Sequence, residues 1–260
     1  MDSRDTPKVG AKARALAQRQ GRAIQRGLSG QPDLHRGVHL ARKAIRRLRA
    51  LLALVDGRFE QVVAIDRALR KLGDGLSALR DAHVAVELAH AFAAGDNTDR
   101  WQPMISYLVQ RRDRLAARLL ARDPGFGRRR AIVSRQMAAL DAVEWRRLRN
   151  KDLRAGLERS LARLARAERR ARKEPSAENL HRFRRRLRRL RMQQEALRSL
   201  APNLAKDPAI TGKDLRSLRR RSDHLGRRQD VLALCGLVQR APGIPDRRRL
   251  LDQLREQLPS

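Results

Sequence analysis

The pattern H-x-x-R-x-x-x-R-R-L-R occurs twice in the chain, from His39 to Arg49 and again from His181 to Arg191. Its apolar and basic positions interleave at spacings of three and four, which a helix of 3.6 residues per turn sorts onto separate faces. In the first block Leu34, Val38, Ala41, Ile45, Leu48 and Leu52 form an apolar stripe suited to a bundle. Leu180, Phe183, Leu187, Leu190 and Leu197 do the same in the second. Offsets 0, 3, 7 and 10 from each histidine fall within roughly 80° of arc. His39, Arg42, Arg46 and Arg49 therefore share one face, with His35 inside the same arc, and His181, Arg184, Arg188 and Arg191 share another.

A fainter block follows each of these. Leu76-Ser77-Ala78-Leu79-Arg80-Asp81 resembles Leu225-Gly226-Arg227-Arg228-Gln229-Asp230, and a leucine precedes each by seven residues, Leu69 and Leu218. Two blocks recurring in one order read as a duplicated helical unit. The joint is expected within 125–172, giving halves at 33–150 and 151–260 behind a basic, flexible segment 1–32.

The rest of the chain agrees with an all-α fold. Hydrophobic residues make up 41% but aromatics only 3%, so packing must come from aliphatic side chains, which favours helices over sheets. No stretch alternates with period two between hairpin turns. Clusters of Gly, Pro, Asp and Asn divide the chain into predicted helices at 33–55, 58–72, 76–94, 98–122, 126–172, 176–200, 208–224, 227–240 and 245–257. The fifth is long for one straight helix, and a break is expected at Asn150 or Gly156.

Charge narrows the function. Sixty-one Lys and Arg face 28 acids, a net charge of +33 that opposes compaction unless an anion relieves it. Like charges three and four apart destabilise an isolated helix by a few tenths of a kcal/mol per pair. Two stacked arginine stripes, each bordering an apolar stripe, point to a shared cleft in which a multivalent anion compensates them. Arginine's planar fork suits phosphate oxygens. The plainer alternative is solvated faces covered by arginine stems; it is preferred for Arg47, Arg182, Arg186 and Arg189, which lie off the arc.

Catalysis and metals find little support. His35 and His39 at i, i+4 offer two ligands only, without an H-E-x-x-H pattern. No P-loop or magnesium-binding carboxylate cluster accompanies the histidines, so no catalytic residue, metal or cofactor is expected. Histidine in place of a further arginine at the head of each stripe implies proton uptake on anion binding. Asp81 and Asp230 either orient an arginine of the basic stripes or are ordinary surface acids. Cys235 is the only cysteine, which excludes an intramolecular disulfide and leaves it as apolar filler. The first thirty residues hold no apolar run long enough for a signal peptide or membrane span, so a cytoplasmic protein without a membrane partner is expected. A mitochondrial presequence would also be basic, and Asp2 and Asp5 weigh against one.

The two H-x-x-R-x-x-x-R-R-L-R blocks, each followed by its L-[GS]-x-x-[RQ]-D block, resemble the CHAD domain, the conserved histidine α-helical domain, over roughly 33–240. That resemblance implies two similar helical bundles related by pseudo-twofold symmetry around a basic cleft or pore. It also implies binding of inorganic polyphosphate and, for some members, association with polyphosphate or polyester storage granules. Carried over by position, the ligands are His39, Arg42, Arg46, Arg47 and Arg49, then His181, Arg184, Arg188, Arg189 and Arg191. Lys43 and Arg185 lie within the same blocks and join the expected polyphosphate-binding set, with His35, Arg80 and Arg219 as additional candidates. Met192 stands where an aromatic often follows the second motif, and Ser77 where Gly is usual. Many relatives carry an N-terminal triphosphatase-like domain with an E-x-E-x-K strand. No E-x-E occurs here, and a stand-alone binding module, not an enzyme, is expected.

Two other classes compete. A nucleic-acid-binding protein would exploit the same charge through counterion release, yet Phe59, Phe92, Phe126, Phe183, Tyr107, Trp101 and Trp145 do not cluster as a base-stacking platform would. A phosphohydrolase or phosphotransferase would need the missing carboxylates. No motif sets an oligomeric state.

Overall fold

The computed structural model describes residues 6–29, 33–95, 97–207 and 215–258, with side chains from Val9 in the first segment and from Arg216 in the last. Every regular element among them is helical. The α-helices are α1 (Thr6–Gly27), α2 (Leu34–Val55), α3 (Gln61–Asp74), α4 (Ser77–Ala93), α5 (Thr98–Arg122), α6 (Gly127–Asp141), α7 (Asn150–Lys173), α8 (Ala177–Leu200), α9 (Pro202–Lys206), α10 (Leu215–Arg240) and α11 (Arg247–Glu256). Short 3-10 turns at Pro124–Phe126 and Trp145–Arg147 link α5 to α6 and α6 to α7. No helix among the described residues is long and apolar enough to cross a membrane.

Local chemistry sets the ends of the two motif helices. The Asp33 carboxylate accepts from the Arg36 amide at 3.0 Å and opens α2, and the Ser176 hydroxyl accepts from the Asn179 amide at 3.3 Å and opens α8. Each satisfies an orphan first-turn donor, typically worth about 1 kcal/mol. The expected break in 126–172 falls at 142–149, so Asn150 begins α7 whereas Gly156 lies inside it. The predicted division between 208–224 and 227–240 is absent where the chain is described: α10 runs unbroken through Gly226. One glycine costs a helix only about 1 kcal/mol, which packing readily outweighs. The expected breaks at 30–32, 96 and 208, and the first seven residues of the helix expected at 208–224, lie outside the described residues.

The chain forms two compact units. One takes the chain up to Gly75 and then Gly125–Ser222; the other takes Leu76–Pro124 and the chain from Asp223 onward. This departs from the expected halves at 33–150 and 151–260, because each unit draws on both. Both H-x-x-R blocks, on α2 and α8, fall in the first unit, and both L-[GS]-x-x-[RQ]-D blocks fall in the second.

In the first unit α2 is the central element, packed against α1, α3, α7 and α8. Its stripe of Val38, Ala41, Ile45, Leu48 and Leu52 is buried, and from Ala50 to Val55 every residue is buried. The flexible segment expected at 1–32 is instead mostly α1, which buries Val9, Ala13, Ala17 and Ile24, with Leu28 buried just after it. Gln25 fixes it by donating to the Arg130 carbonyl at 3.0 Å and the Ser134 hydroxyl at 2.9 Å. Only 1–5 and 30–32 of that segment lie outside the described residues. Glycines and alanines carry most of the seam, which is why the basic charge around them masked it.

Gly156 of α7 lets the helix backbones approach, since a Cβ there would stand 2.0 Å from the Leu54 carbonyl oxygen of α2. Gly156→Ala is therefore expected to lower stability by about 1–3 kcal/mol through overpacking, despite alanine's better helix propensity. Gly236→Ala on α10 meets only the mobile end of Arg240, at 3.3 Å, and should leave the melting temperature unchanged or raise it. Thermal denaturation of the two variants measures the difference.

The second unit packs α4 and α5 with α11 and the part of α10 beyond Asp223, around Ala89, Trp101, Met104, Leu108, Val231, Leu234, Val238, Leu250 and Leu254. The buried Trp101 indole donates to Gln253 Oε1 at 2.8 Å, and Gln253 donates in turn to the Phe92 carbonyl at 3.2 Å. Phe92 stacks on Trp101 at 5.6 Å between ring centroids.

Candidate anion-binding site

Within the first unit α8 lies against both α2 and α7. Its Phe183, Leu187, Leu190 and Leu197 are buried, and the fully buried Gln193 donates to the Ala50 carbonyl of α2 at 3.3 Å. Arg221 of α10 stacks over the Phe183 ring at 5.5 Å while pairing with Glu168 of α7 at 2.7 Å. With the apolar stripes turned inward, the basic positions beside them open onto a cavity of about 530 Å³.

Three helices line it. Arg46 and Arg49 come from α2, Asp66 and Arg70 from α3, and Glu178, His181, Arg182, Arg185, Arg186, Arg188, Arg189 and Met192 from α8. Eight arginines thus face two carboxylates. Asp66 takes Arg49 bidentately, at 2.8 and 3.1 Å, and Glu178 pairs with Arg182 at 2.6 Å across one turn. The remaining positive charge leaves a mark on its neighbours. Arg189 is pushed down to about 10, first by burial and then by the Arg49 charge, with Asp66 pulling the other way. Arg186 is lowered by burial and by Arg163, Arg185 and Arg182. Both stay charged near neutrality, in a region poor in compensating negative charge.

Some of the sequence-derived candidates meet here and some do not. Arg46, Arg49, His181, Arg185, Arg188 and Arg189 line the cavity. Arg42 does not: its guanidinium donates to the Gly73 carbonyl near the end of α3, where exposed helix carbonyls attract cations. His39 is exposed, and neither it nor Arg184 and Arg191 belongs to the lining. Lys43 and Arg47 line a different cavity, between α1 and α2. Of the additional candidates, His35 is half-buried outside both cavities, Arg219 is exposed on α10, and Arg80 lies in the second unit.

Arg80 does join the two faint blocks. Its guanidinium lies 3.0 Å from Asp81 and 3.7 Å from Asp230, so the carboxylates expected to orient a stripe arginine share this one.

The residues that sequence reasoning missed are Arg70, Asp66, Arg182 and Arg186, the last two having been read, with Arg189, as solvated. A signal existed for part of this set. Glu178, Arg182, Arg185, Arg189 and Met192 follow the spacing 4, 3, 4, 3 and form a second stripe on α8, on a face apart from that of His181 and Arg188.

Fold and site together define a class, an all-helical protein that brings two His/Arg-headed helices together around a cationic cavity. A family model for the CHAD domain matches residues 12–239, and the chain belongs to the CHAD domain family. The match begins inside α1, well before residue 33 where the resemblance was read. Among solved structures, the crystal structure of the CHAD domain from the plant Ricinus communis is similar, with a TM-score of 0.68 and 20% sequence identity over 98% of this chain and 86% of that one. At that identity the similarity speaks for the fold. A search of curated proteins finds no match.

Proposed function

We propose that the protein is a binding module for inorganic polyphosphate, which it holds in the α2–α3–α8 cavity. The observation that carries this reading is the convergence of eight arginines on about 530 Å³ with only two carboxylates, among them an arginine lowered to about 10. A linear phosphate chain supplies closely spaced charge and no bases to stack, which matches guanidinium forks without an aromatic platform. The CHAD family's link to polyphosphate points the same way. In this reading the protein holds the chain without cleaving it, and its place in the cell is the cytoplasm, at polyphosphate or storage granules.

Competition of long-chain polyphosphate against duplex DNA and single-stranded RNA at near-physiological salt tests the proposal. Polyphosphate is expected to prevail, and to do so increasingly as salt screens the diffuse field that drives nucleic-acid binding. Equal displacement by all three would favour a general nucleic-acid-binding protein, the reading that the net charge of +33 keeps open. Phosphate release in the presence of Mg²⁺ or Mn²⁺ would make it a hydrolase instead.

The separation of the two histidines yields another expectation. His181 lines the cavity and His39 does not. His181→Gln should lower polyphosphate affinity by roughly fivefold, the loss of one hydrogen bond, and His39→Gln should leave it unchanged, as titration calorimetry of the two variants would show.

A further inference from the structure

The two motif helices each carry a second basic stripe, and the fold puts the two stripes to different uses. On α8 it is the stripe of Arg182, Arg185 and Arg189, which faces the cavity described above. The matching positions on α2 are Leu40, Lys43 and Arg47, with Arg36 in line one turn earlier. These four face a separate cavity of about 450 Å³, roofed by Gln20, Ala23 and Arg26 of α1. Arg26, Arg36, Lys43 and Arg47 bring four cations to it from two helices, against the single carboxylate of Asp33. That carboxylate already caps α2 by accepting from the Arg36 amide. No ion pair holds any of the four cations among the described residues. Exposed Leu40, with Ala23 and Ala44, supplies apolar wall that weakens the competition from water.

We propose that this α1–α2 cavity is a second polyphosphate subsite, and that a long chain held in the α2–α3–α8 cavity continues across α2 into it. The inference rests on the polyphosphate reading of the first cavity. The two faces of α2 are roughly 110° apart, which on a helix of about 10–12 Å diameter is a path of about 10 Å. A short oligophosphate seated in the first cavity does not span that path, and a chain only a few units longer does. Joining two weak subsites through one ligand makes the second contact intramolecular, so the subsite should be felt only by long chains. The protein would then select for chain length through a cavity built by α1.

The test is isothermal titration of the full-length protein with tripolyphosphate and with long-chain polyphosphate. It uses the variant Arg36→Gln, Lys43→Gln, Arg47→Gln and a control that loses the same charge from exposed positions of α7, Arg169→Gln, Arg170→Gln, Lys173→Gln. All six side chains are exposed, so both variants should keep the wild-type circular dichroism. Long-chain affinity should fall by about tenfold or more in the first variant and by no more than about threefold in the control, while tripolyphosphate affinity stays within about twofold in the first variant. Arg26→Gln alone should also reduce long-chain affinity, because it removes the one cation that α1 supplies to the subsite. A long-chain loss no greater than the control's, or equal losses for both ligands, overturns the subsite and leaves the first cavity standing. A wild-type protein that binds neither phosphate overturns the polyphosphate reading, and the subsite with it.

Discussion

Replacing Arg46, Arg185 and Arg188 together by glutamine is expected to weaken polyphosphate binding by roughly 100- to 1,000-fold, against a few-fold for removal of Arg169, Arg170 and Lys173. Both variants lose three positive charges and with them a similar share of the diffuse field. Only the first removes guanidinium groups that face one cavity from α2 and α8. A charge-assisted hydrogen bond contributes about 1.5–3 kcal/mol, so even partial engagement of three arginines amounts to a large factor. The control positions lie exposed on α7, where salt screens them. Titration at two salt concentrations separates the effects, since the control's deficit should shrink as salt rises while the cavity variant's persists. Equal deficits in the two variants would mean that net charge alone binds the ligand.

Arg189→Met is expected to make the ligand-free protein more stable and the same protein a poorer binder by about tenfold or more. Arg189 is partly dehydrated and sits beside the Arg49, Arg186 and Arg185 charges, which together bring it down to about 10. A cation whose pKa is depressed by folding carries a penalty at every pH below the folded value, and the penalty is relieved as pH rises from that value towards the ordinary arginine range. At neutral pH the penalty is present in full. It is on the order of 3 kcal/mol, and methionine removes it while keeping an unbranched apolar stem. For a chain of this size that corresponds to a rise of several degrees in melting temperature. Polyphosphate supplies the missing negative charge, so saturating ligand should stabilise the wild type much more than the variant. Melting curves with and without ligand measure both halves of the trade. A variant less stable than wild type in the absence of ligand would assign Arg189 a structural role instead.

Some of this architecture is written in local chemistry. α5 spans Thr98–Arg122, the segment that the breakers on either side delimit. α2 and α8 begin where Asp33 and Ser176 supply a side-chain acceptor. The stripes of Ile45, Leu48 and Leu52 and of Leu187, Leu190 and Leu197 are buried as their periodicity requires. The order of the blocks led to the CHAD family from residues alone, and the family model bears that out. Each of these features depends on residues within a turn or two of one another, or on a pattern carried by one helix.

Which faces meet is another matter. Arg47 and Arg189 hold the same position in the repeated motif, yet Arg47 is exposed beside α1 while Arg189 is largely enclosed between α2, α3 and α8. Arg42 and Arg46 share one stripe, and only Arg46 reaches the cavity, because the end of α3 stands where Arg42 points. α1 passed for a flexible leader because its seam is mostly glycine and alanine, and such small residues at helical spacing show themselves as core only against a partner helix. The sequence by itself thus determined the helices, their apolar stripes and the two cationic faces of each motif helix, since 3.6-residue periodicity and capping are local. Tertiary structure alone decided which cationic faces share a cavity, because that depends on the neighbour each helix packs against, and a helix's own periodicity carries no information about its neighbours.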